Sequence, residues 1–164
     1  MKTIVLVRHS NAEDGDYHLN DYDRRLTFKG VQKADKVASA CKGFYQPANT
    51  VFYTSRAPRA FQTAEMFAKK LNHKRDHLRS TDFLYYCFKP EELLIELEQF
   101  NNYETIWVFG HNPMMSELNE FFTGTKSKGF PKCMVSAISF DTENFLEIKE
   151  GSGKVVFLVN PKLL

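Results

Sequence analysis

Short apolar runs alternate along the chain with longer stretches in which apolar residues recur every three or four positions. The runs are continuous and rich in β-branched residues, which predicts strands buried on both faces, at residues 3–7, 50–53 and 105–109. The longer stretches begin at Thr27 or at a proline, which predicts helices at residues 27–42, 58–71, 90–100 and 113–122. Strands and helices therefore alternate through the first two thirds of the chain.

The last third of the chain changes to the two-residue period of strands. This pattern predicts strands at residues 135–140, 146–149 and 154–159, and a further short strand is expected at residues 83–86. Alternating strands and helices need crossover connections, which build a largely parallel sheet. The sequence therefore predicts an α/β fold over residues 1–164, a single-domain three-layer sandwich whose mostly parallel central sheet is flanked by helices.

The composition argues against several classes of protein. Of the 164 residues, 43% are hydrophobic and 26% are charged, which is typical of a folded domain. The net charge of +2 comes without a basic block, so nucleic acid is not expected as a partner. No apolar stretch approaches the roughly 20 residues that span a bilayer, and the apolar start is too short for a secretion signal. We therefore expect a cytoplasmic protein that has no membrane partner.

Chemistry-bearing residues follow two of the predicted buried strands. Arg8 and His9 come directly after the first strand, and His111 comes directly after the strand at residues 105–109. Ligands of parallel sheets bind beyond the carboxyl ends of the strands, and Arg59 lies at the start of a helix that could face the same place. Two guanidinium groups, two imidazoles and a helix N-terminus suit a dianionic phosphoryl group, and a neutral imidazole can attack phosphorus.

A structural interpretation of these residues remains open at this point. One histidine at a strand end is more often structural or exposed than catalytic, and an Arg-His pair carries almost no information. The signal lies in two such strand ends combined with an arginine at a helix start. From the residues alone, an anion-binding site and a purely structural role are equally good interpretations.

Three segments extend this pattern into a family resemblance. The run Leu-Val-Arg-His-Ser at residues 6–10 resembles the opening motif of the histidine phosphatase superfamily, in which Arg-His-Gly is usual. Residues 55–64, Ser-Arg-Ala-Pro-Arg-Ala-Phe-Gln-Thr-Ala, resemble its second segment, and Gly-His-Asn-Pro at residues 110–113 resembles its second histidine motif. The stretch Asp-Arg-Arg-Leu-Thr-x-x-Gly at residues 23–30 is most similar to the SixA-type phosphohistidine phosphatases. The resemblance implies a phosphoglycerate mutase-like fold.

The resemblance also implies roles for individual residues. His9 would be the nucleophile that becomes phosphorylated, and Arg8, Arg59 and His111 would complete the catalytic phosphate pocket. Arg24 would add a further contact to the phosphate. The family pattern implies no metal and no cofactor. Arg56 and Arg25 stand where the family usually has proline, and we expect both to be exposed, with Arg56 at the rim of the pocket.

Two departures from the family pattern bear on the chemistry. Ser10 replaces the usual glycine, and we expect the pocket to tolerate it. Many members carry a general acid in a Leu-x-Glu stretch, where this chain has Leu-Tyr-Tyr, so Tyr86 occupies the place of the carboxylate. A missing acid should hurt least for phosphohistidine, whose leaving imidazole can be protonated at its other nitrogen. The nearby carboxylates that could substitute as the acid are Glu13, Asp14 and Asp82.

The remaining candidate features are weaker. His73 and His77 have a spacing that could bind a metal, but they lie among charged residues, so we expect a solvated segment rather than a metal site. The three cysteines are widely spaced and odd in number, so we expect reduced thiols at Cys41, Cys87 and Cys133.

Three functions are compatible with the sequence. The first is a metal-independent phosphatase that removes the phosphoryl group from phosphohistidine on a protein, such as a signalling or phosphotransfer protein, through a phospho-His9 intermediate. The second is a phosphatase of small phosphomonoesters. The third is a phosphoryl-binding module without turnover, and the presence of all five pocket residues argues against it.

Overall fold

The computed structural model of the chain describes all 164 residues. It contains six strands and four α-helices in alternating order. The strands are β1 (Lys2–Arg8), β2 (Thr50–Ser55), β3 (Leu78–Thr81), β4 (Thr105–Gly110), β5 (Val135–Phe140) and β6 (Lys154–Val159). The helices are α1 (Phe28–Ala40), α2 (Pro58–Leu71), α3 (Pro90–Leu97) and α4 (Met114–Thr123). No helix is long and apolar enough to cross a membrane.

All six strands form one sheet in the order β3-β2-β4-β1-β5-β6. The pairs β1–β4, β2–β4 and β2–β3 are parallel, and β5 pairs antiparallel with both β1 and β6. The largely buried strands β1, β2 and β4 therefore lie side by side at the centre, as their continuous apolar runs predict. Their carboxyl ends meet at one edge of the sheet.

Two hydrophobic clusters, one on each face of the sheet, produce the three layers. On one face, α1 and α2 pack through Val37, Ala64 and Phe67 against Phe52 and Trp107. On the other face, α3 and α4 contribute buried side chains that pack against the opposite side of the same strands, among them Leu93, Leu97, Met115, Leu118 and Phe122. The α/β sandwich with a mostly parallel sheet is confirmed.

Two predicted strands are wrong. Residues 83–86 do not form a strand, and the edge strand is β3, a few residues earlier. β3 pairs on one side only and is partly exposed, so its Leu-Arg-Ser-Thr sequence lacks the apolar run that identifies a buried strand. Residues 146–149 are also not a strand, because the side chain of Asn144 accepts a hydrogen bond from the backbone N–H of Leu146 and begins a 3-10 turn at Phe145–Glu147.

Candidate active site

The sheet register brings the two predicted strand-end histidines together. Arg8 of β1 pairs with Gly110 of β4, and the backbone N–H of His9 donates to the Gly110 carbonyl at 2.9 Å. The next residues, His9 and His111, therefore leave the sheet side by side, with ring centroids 5.2 Å apart. β2 lies on the other side of β4 and leads into α2, which supplies Arg59.

His9 is held in one tautomer. Its ring is buried, and Nδ1 lies 2.7 Å from the carbonyl oxygen of Ser10. Because a carbonyl can only accept a hydrogen bond, Nδ1 carries the proton and the lone pair lies on Nε2. Burial, together with the smaller effects of the charges of His111, Arg59 and Arg8, lowers the pKa of His9 to about 3, although the Ser10 hydrogen bond acts in the opposite direction. At neutral pH this ring is an uncharged base with its lone pair facing Arg59, whose Nε lies 3.3 Å away.

His111 presents the opposite nitrogen to the pocket. Its Nε2 lies 2.8 Å from Oγ of Ser55, which already accepts a hydrogen bond from the backbone N–H of Ala57. Nε2 is the acceptor that the structure offers to the Ser55 hydroxyl proton, so we assign the proton of His111 to Nδ1. That buried Nδ1 has no partner in the protein. Burial and, to a smaller extent, the positive charge of Arg59 lower the pKa of His111 to about 3.

Arg8 offers a second unpaired donor. One Nη atom donates to the carbonyl of Phe130 at 3.0 Å, and the side-chain amide of Asn112 donates to the same oxygen at 3.1 Å. Nε of Arg8 is buried and has no partner. A buried N–H without an acceptor is costly, so Arg8 and His111 together indicate a place built for an anion.

Asp21 joins the two remaining predicted arginines. Arg59 donates one Nη to the Asp21 backbone carbonyl at 2.6 Å and the other to the Asp21 carboxylate at 3.0 Å. Arg24 donates to the second carboxylate oxygen at 2.8 Å. Arg24 is therefore connected to Arg59 through Asp21. Sequence reasoning missed Asp21, and its only signal was an acidic residue three positions before an arginine of the pocket.

Tyr85, rather than Tyr86, contacts the site. The Tyr85 ring packs edge-on against His111 at 5.4 Å, and its hydroxyl donates to the Asp21 carboxylate at 2.7 Å. Tyr86, which the sequence places at the position of the family's acid, is 63% exposed and packs only on the Tyr85 ring. Residues 83–86 form a turn and not the expected strand, and in this turn Tyr85 takes the place at the site that was expected for Tyr86.

The three carboxylates named as substitute acids make no hydrogen bond to His9 or His111. Glu13 accepts from the backbone N–H of Arg25 at 2.9 Å, and Asp14 is exposed without a side-chain partner. Asp82 accepts from the Tyr22 hydroxyl at 2.7 Å and lies 3.5 Å from Arg56. Both Arg56 and Arg25 are exposed, as expected from the sequence.

Ser10 joins the loop after β1 to the helices α1 and α2 through hydrogen bonds. It is fully buried, its hydroxyl donates to the Gly30 carbonyl at 2.7 Å, and its backbone N–H donates to the Thr63 hydroxyl at 3.1 Å. The start of α1 approaches the loop after His9 so closely that a Cβ on Gly30 would lie 2.0 Å from the Asn11 carbonyl oxygen. Ser10 thus bonds the neighbouring helix and leaves the pocket free.

Residues 74–76 are exposed, as the expected solvated segment requires, but His73 is not part of it. His73 is buried, stacks on Phe52 at 3.8 Å, and bonds the Tyr45 hydroxyl at 2.7 Å and the His77 carbonyl at 2.9 Å. The aromatic residues that cover it come from distant parts of the chain, so the charged neighbours in sequence gave no sign of them. No group of three or more His, Cys, Asp or Glu side chains could hold a metal ion, here or elsewhere.

All five predicted site residues thus lie around one pocket. His9 supplies a lone pair on Nε2, Arg8 and His111 supply unpaired donors, and Arg59 and Arg24 supply two guanidinium groups that Asp21 holds together. A phosphoryl group placed here would meet a neutral nucleophile and several charge-assisted donors. The arrangement can transfer a phosphoryl group to imidazole nitrogen.

Known proteins share both sequence and fold with this chain. Residues 4–85 match the profile of the Histidine phosphatase superfamily (branch 1). No curated protein matches the sequence. Among solved structures, the protein histidine phosphatase SixA complexed with tungstate is 20% identical and superposes with a TM-score of 0.81, with 98% of each chain covered.

Two further solved structures show the same architecture. SixA from Agrobacterium tumefaciens is 20% identical with a TM-score of 0.79, and 98% of each chain is covered. A mutant phosphoserine phosphatase from Entamoeba histolytica, in complex with phosphoserine, is 16% identical with a TM-score of 0.69, and 100% of each chain is covered. At these identities the likeness shows the fold, which confirms the expected phosphoglycerate mutase-like sandwich.

Proposed function

Because this chain belongs to the histidine phosphatase superfamily, we propose that it removes the phosphoryl group from phosphohistidine on a protein through a covalent intermediate on His9. The observation that carries the proposal is the state of the two buried histidines. His9 is neutral with its lone pair on Nε2, and His111, whose Nδ1 is unpaired, has its ring centroid 5.2 Å from that of His9. The likeness to SixA, whose structure contains the oxyanion tungstate, supports the same interpretation.

In the first step, Nε2 of His9 attacks phosphorus, and the bond from phosphorus to the substrate nitrogen breaks. The electron pair of that bond returns to the leaving imidazole, which keeps a proton on its other nitrogen and departs neutral. The charge on the equatorial oxygens is met by Arg8, Arg59 and the Nδ1 proton of His111. The hydrogen bond from His9 Nδ1 to the Ser10 carbonyl stabilises the positive charge that the ring gains.

In the second step, water attacks the phosphorus of phospho-His9 and the P–N bond breaks. Its electron pair returns to Nε2, and the oxygen and both protons of the water leave with the phosphate as dihydrogen phosphate. His9 is thereby restored in the tautomer that the Ser10 carbonyl selects. Neither step as written needs a divalent metal, so we expect full activity in a chelator. Loss of activity that one added metal restores would contradict this.

The lack of a proton-donating carboxyl favours phosphohistidine over alkyl phosphates. Asp21 is the carboxylate in contact with the pocket arginines, and hydrogen bonds from Tyr85 and Arg24, with the charge of Arg59, hold its pKa well below the usual range. An ionised carboxylate cannot protonate a strongly basic alkoxide, whereas a protonated imidazole needs no such donor. The likeness to the phosphoserine phosphatase keeps small phosphomonoesters as the second candidate substrates.

A substrate panel tests this proposal. A phosphohistidine-bearing phosphotransfer protein, phosphoserine and an aryl phosphate are compared at equal enzyme concentration. We expect kcat/KM to be highest for the phosphohistidine protein and lowest for phosphoserine, because general acid catalysis contributes typically about 10²- to 10⁴-fold where it is required. A kcat/KM for phosphoserine that equals or exceeds the value for phosphohistidine would support the phosphomonoester alternative. No turnover of any of the three, with phosphate binding retained, would support a binding module.

A further inference from the structure

The geometry points to Asp21 as the residue that selects substrates whose leaving group carries a positive charge while it is still bonded to phosphorus, an inference that rests on the proposed phosphatase function. Asp21 lies in the loop between β1 and α1, and its carboxylate bonds Arg59, Arg24 and Tyr85 at 3.0, 2.8 and 2.7 Å. A carboxylate that holds two pocket arginines is unexpected in a site for anions, because it opposes the charge they present. The position of Asp21 relative to Arg59 and His9 explains why a carboxylate is present there.

Arg59 separates Asp21 from the nucleophile. Nε of Arg59 lies 3.3 Å from Nε2 of His9, and both Nη atoms of the same guanidinium donate to Asp21. A phosphoryl group bound against Arg59 therefore has His9 toward one end of the guanidinium and Asp21 toward the other. Because the attacking and leaving atoms lie on opposite sides of phosphorus, the leaving group departs toward Asp21.

Asp21 retains the capacity to bind a leaving group. Its two carboxylate oxygens have about four lone-pair sites, and Arg24, Arg59 and Tyr85 occupy three of them. The side chain is 56% exposed, so a group arriving from solvent can reach it. The oxygen that bonds Arg24 has one lone pair free, which can accept a hydrogen bond from an N–H.

Two aromatic rings line the space beside Asp21. Tyr22 and Tyr85 pack edge to face with centroids 4.8 Å apart, and the Tyr85 hydroxyl bonds Asp21 directly. A flat ring that enters beside Asp21 would contact an aromatic surface. A protonated imidazole fits both features, since its ring packs on aromatic side chains and its free N–H donates to a carboxylate.

The charge on Asp21 affects phosphohistidine and aryl phosphates in opposite ways. Phosphohistidine reacts readily when its second ring nitrogen is protonated, so that the imidazole leaves neutral, and an ionised carboxylate favours that protonated form. An aryl phosphate instead gains negative charge on the leaving oxygen as the P–O bond breaks, and a nearby carboxylate repels it. Asp21 therefore favours the nitrogen leaving group and disfavours the oxygen one.

Asp21→Asn tests the charge with little change in shape. We measure kcat/KM for two small probes, phosphoimidazole and 4-nitrophenyl phosphate, and compare their ratio with that of the unchanged protein. We expect the ratio to fall about tenfold or more, since hydrogen bonds to charged groups are roughly twice as strong as neutral ones. Asp21→Glu keeps the charge and should retain more of the ratio. Asp23→Asn is the matched control, because Asp23 is an exposed carboxylate in the same turn whose side chain has no hydrogen-bond partner.

Three results would overturn the inference. An equal loss on both probes would make Asp21 a positioning residue for Arg59, and an equal gain would make it a competitor of the phosphoryl group for the arginines. Unchanged kcat/KM values for both probes would show that Asp21 does not sense the leaving group. The proposed function fails differently, by absence of phosphoimidazole turnover in the unchanged protein, so the two failures are distinguishable.

Discussion

Two pairs of histidines in this molecule differ in their hydrogen bonding, and all of them except the half-buried His77 are buried. The pair His9 and His111 lies at the carboxyl ends of β1 and β4, and the pair His73 and His77 follows the end of α2. The ring centroids are 5.2 Å apart in the first pair and 6.2 Å in the second. Burial lowers the pKa of His73 as it does those of His9 and His111.

The pairs differ in what their nitrogens contact. Both nitrogens of His73 have protein partners, the Tyr45 hydroxyl and the His77 carbonyl, and its ring stacks on Phe52. In the first pair, Nε2 of His9 faces a guanidinium and Nδ1 of His111 has no partner. Burial and a lowered pKa therefore do not distinguish a reactive histidine from a structural one. A nitrogen left for a ligand, with positive charge beside it, does.

The largest effect is expected for the nucleophile. His9→Ala should lower kcat by at least about 10³-fold, because no other group can take the phosphoryl. The free energy of unfolding should change little by comparison, since the His9 side chain makes one hydrogen bond to the adjacent carbonyl and one long contact to Arg59. A variant that keeps several per cent of the rate would contradict nucleophilic catalysis by His9.

A smaller loss of activity is expected when the forked guanidinium of Arg59 is replaced by the single ammonium group of lysine. Arg59→Lys should lower kcat/KM by about 10²- to 10³-fold, the usual cost of losing preorganised donors to a developing anion. Arg56→Lys is the control, since Arg56 is exposed and its side chain pairs only with Asp82, at 3.5 Å. Equal losses in the two variants would remove the distinction between pocket and rim arginines.

The second histidine pair should respond in stability and not in rate. His73→Leu leaves the Tyr45 hydroxyl without its partner, which should lower the free energy of unfolding by about 1–3 kcal/mol. Adding Tyr45→Phe removes the unpaired hydroxyl and should recover part of that loss. Denaturant unfolding measures both changes, while kcat per folded molecule should stay constant. A rate loss without a stability loss would reverse the roles assigned to the two pairs.

The smallest expected effect is the change in the free energy of unfolding with pH that follows from the protonation of His9 and His111. Because the folded-state pKa values of His9 and His111 are about 3, below the ordinary 6.5, the unfolded chain binds more protons between these values. The free energy of unfolding should therefore fall as the pH is lowered from about 6.5 toward 3. Nitrogen-15 NMR at pH 5 should show both rings neutral, with the proton of His9 on Nδ1. Titration of either ring near 6.5 would contradict the buried, uncharged pair.

The sequence predicts the centre of the fold better than its edges. β1, β2 and β4 are buried on both faces, so their apolar runs identify them directly. β3 pairs on one side only and needs no such run, and the turn that replaces the expected strand at 146–149 depends on one side-chain cap from Asn144. Patterns of apolar residues carry little information about either.

The candidate site shows the same division. The strand-end residues Arg8, His9 and His111 follow from topology, because neighbouring parallel strands bring their ends together. Asp21 and Tyr85 lie in irregular segments, and only the folded loops reveal that Tyr85 bonds Asp21 and that Asp21 bonds Arg59. The same holds for His73, whose partners Tyr45 and Phe52 are distant in sequence.

The central claim is that Nε2 of His9 accepts the phosphoryl group, and trapping the intermediate tests it most directly. The protein is mixed with ³²P-labelled phosphoimidazole, quenched in alkali within one turnover and digested, and the labelled peptide is sequenced. The account predicts an acid-labile, alkali-stable phosphate on the peptide containing His9, and none in His9→Ala. Label on the peptide of His111, or turnover with no label on any histidine, would contradict it.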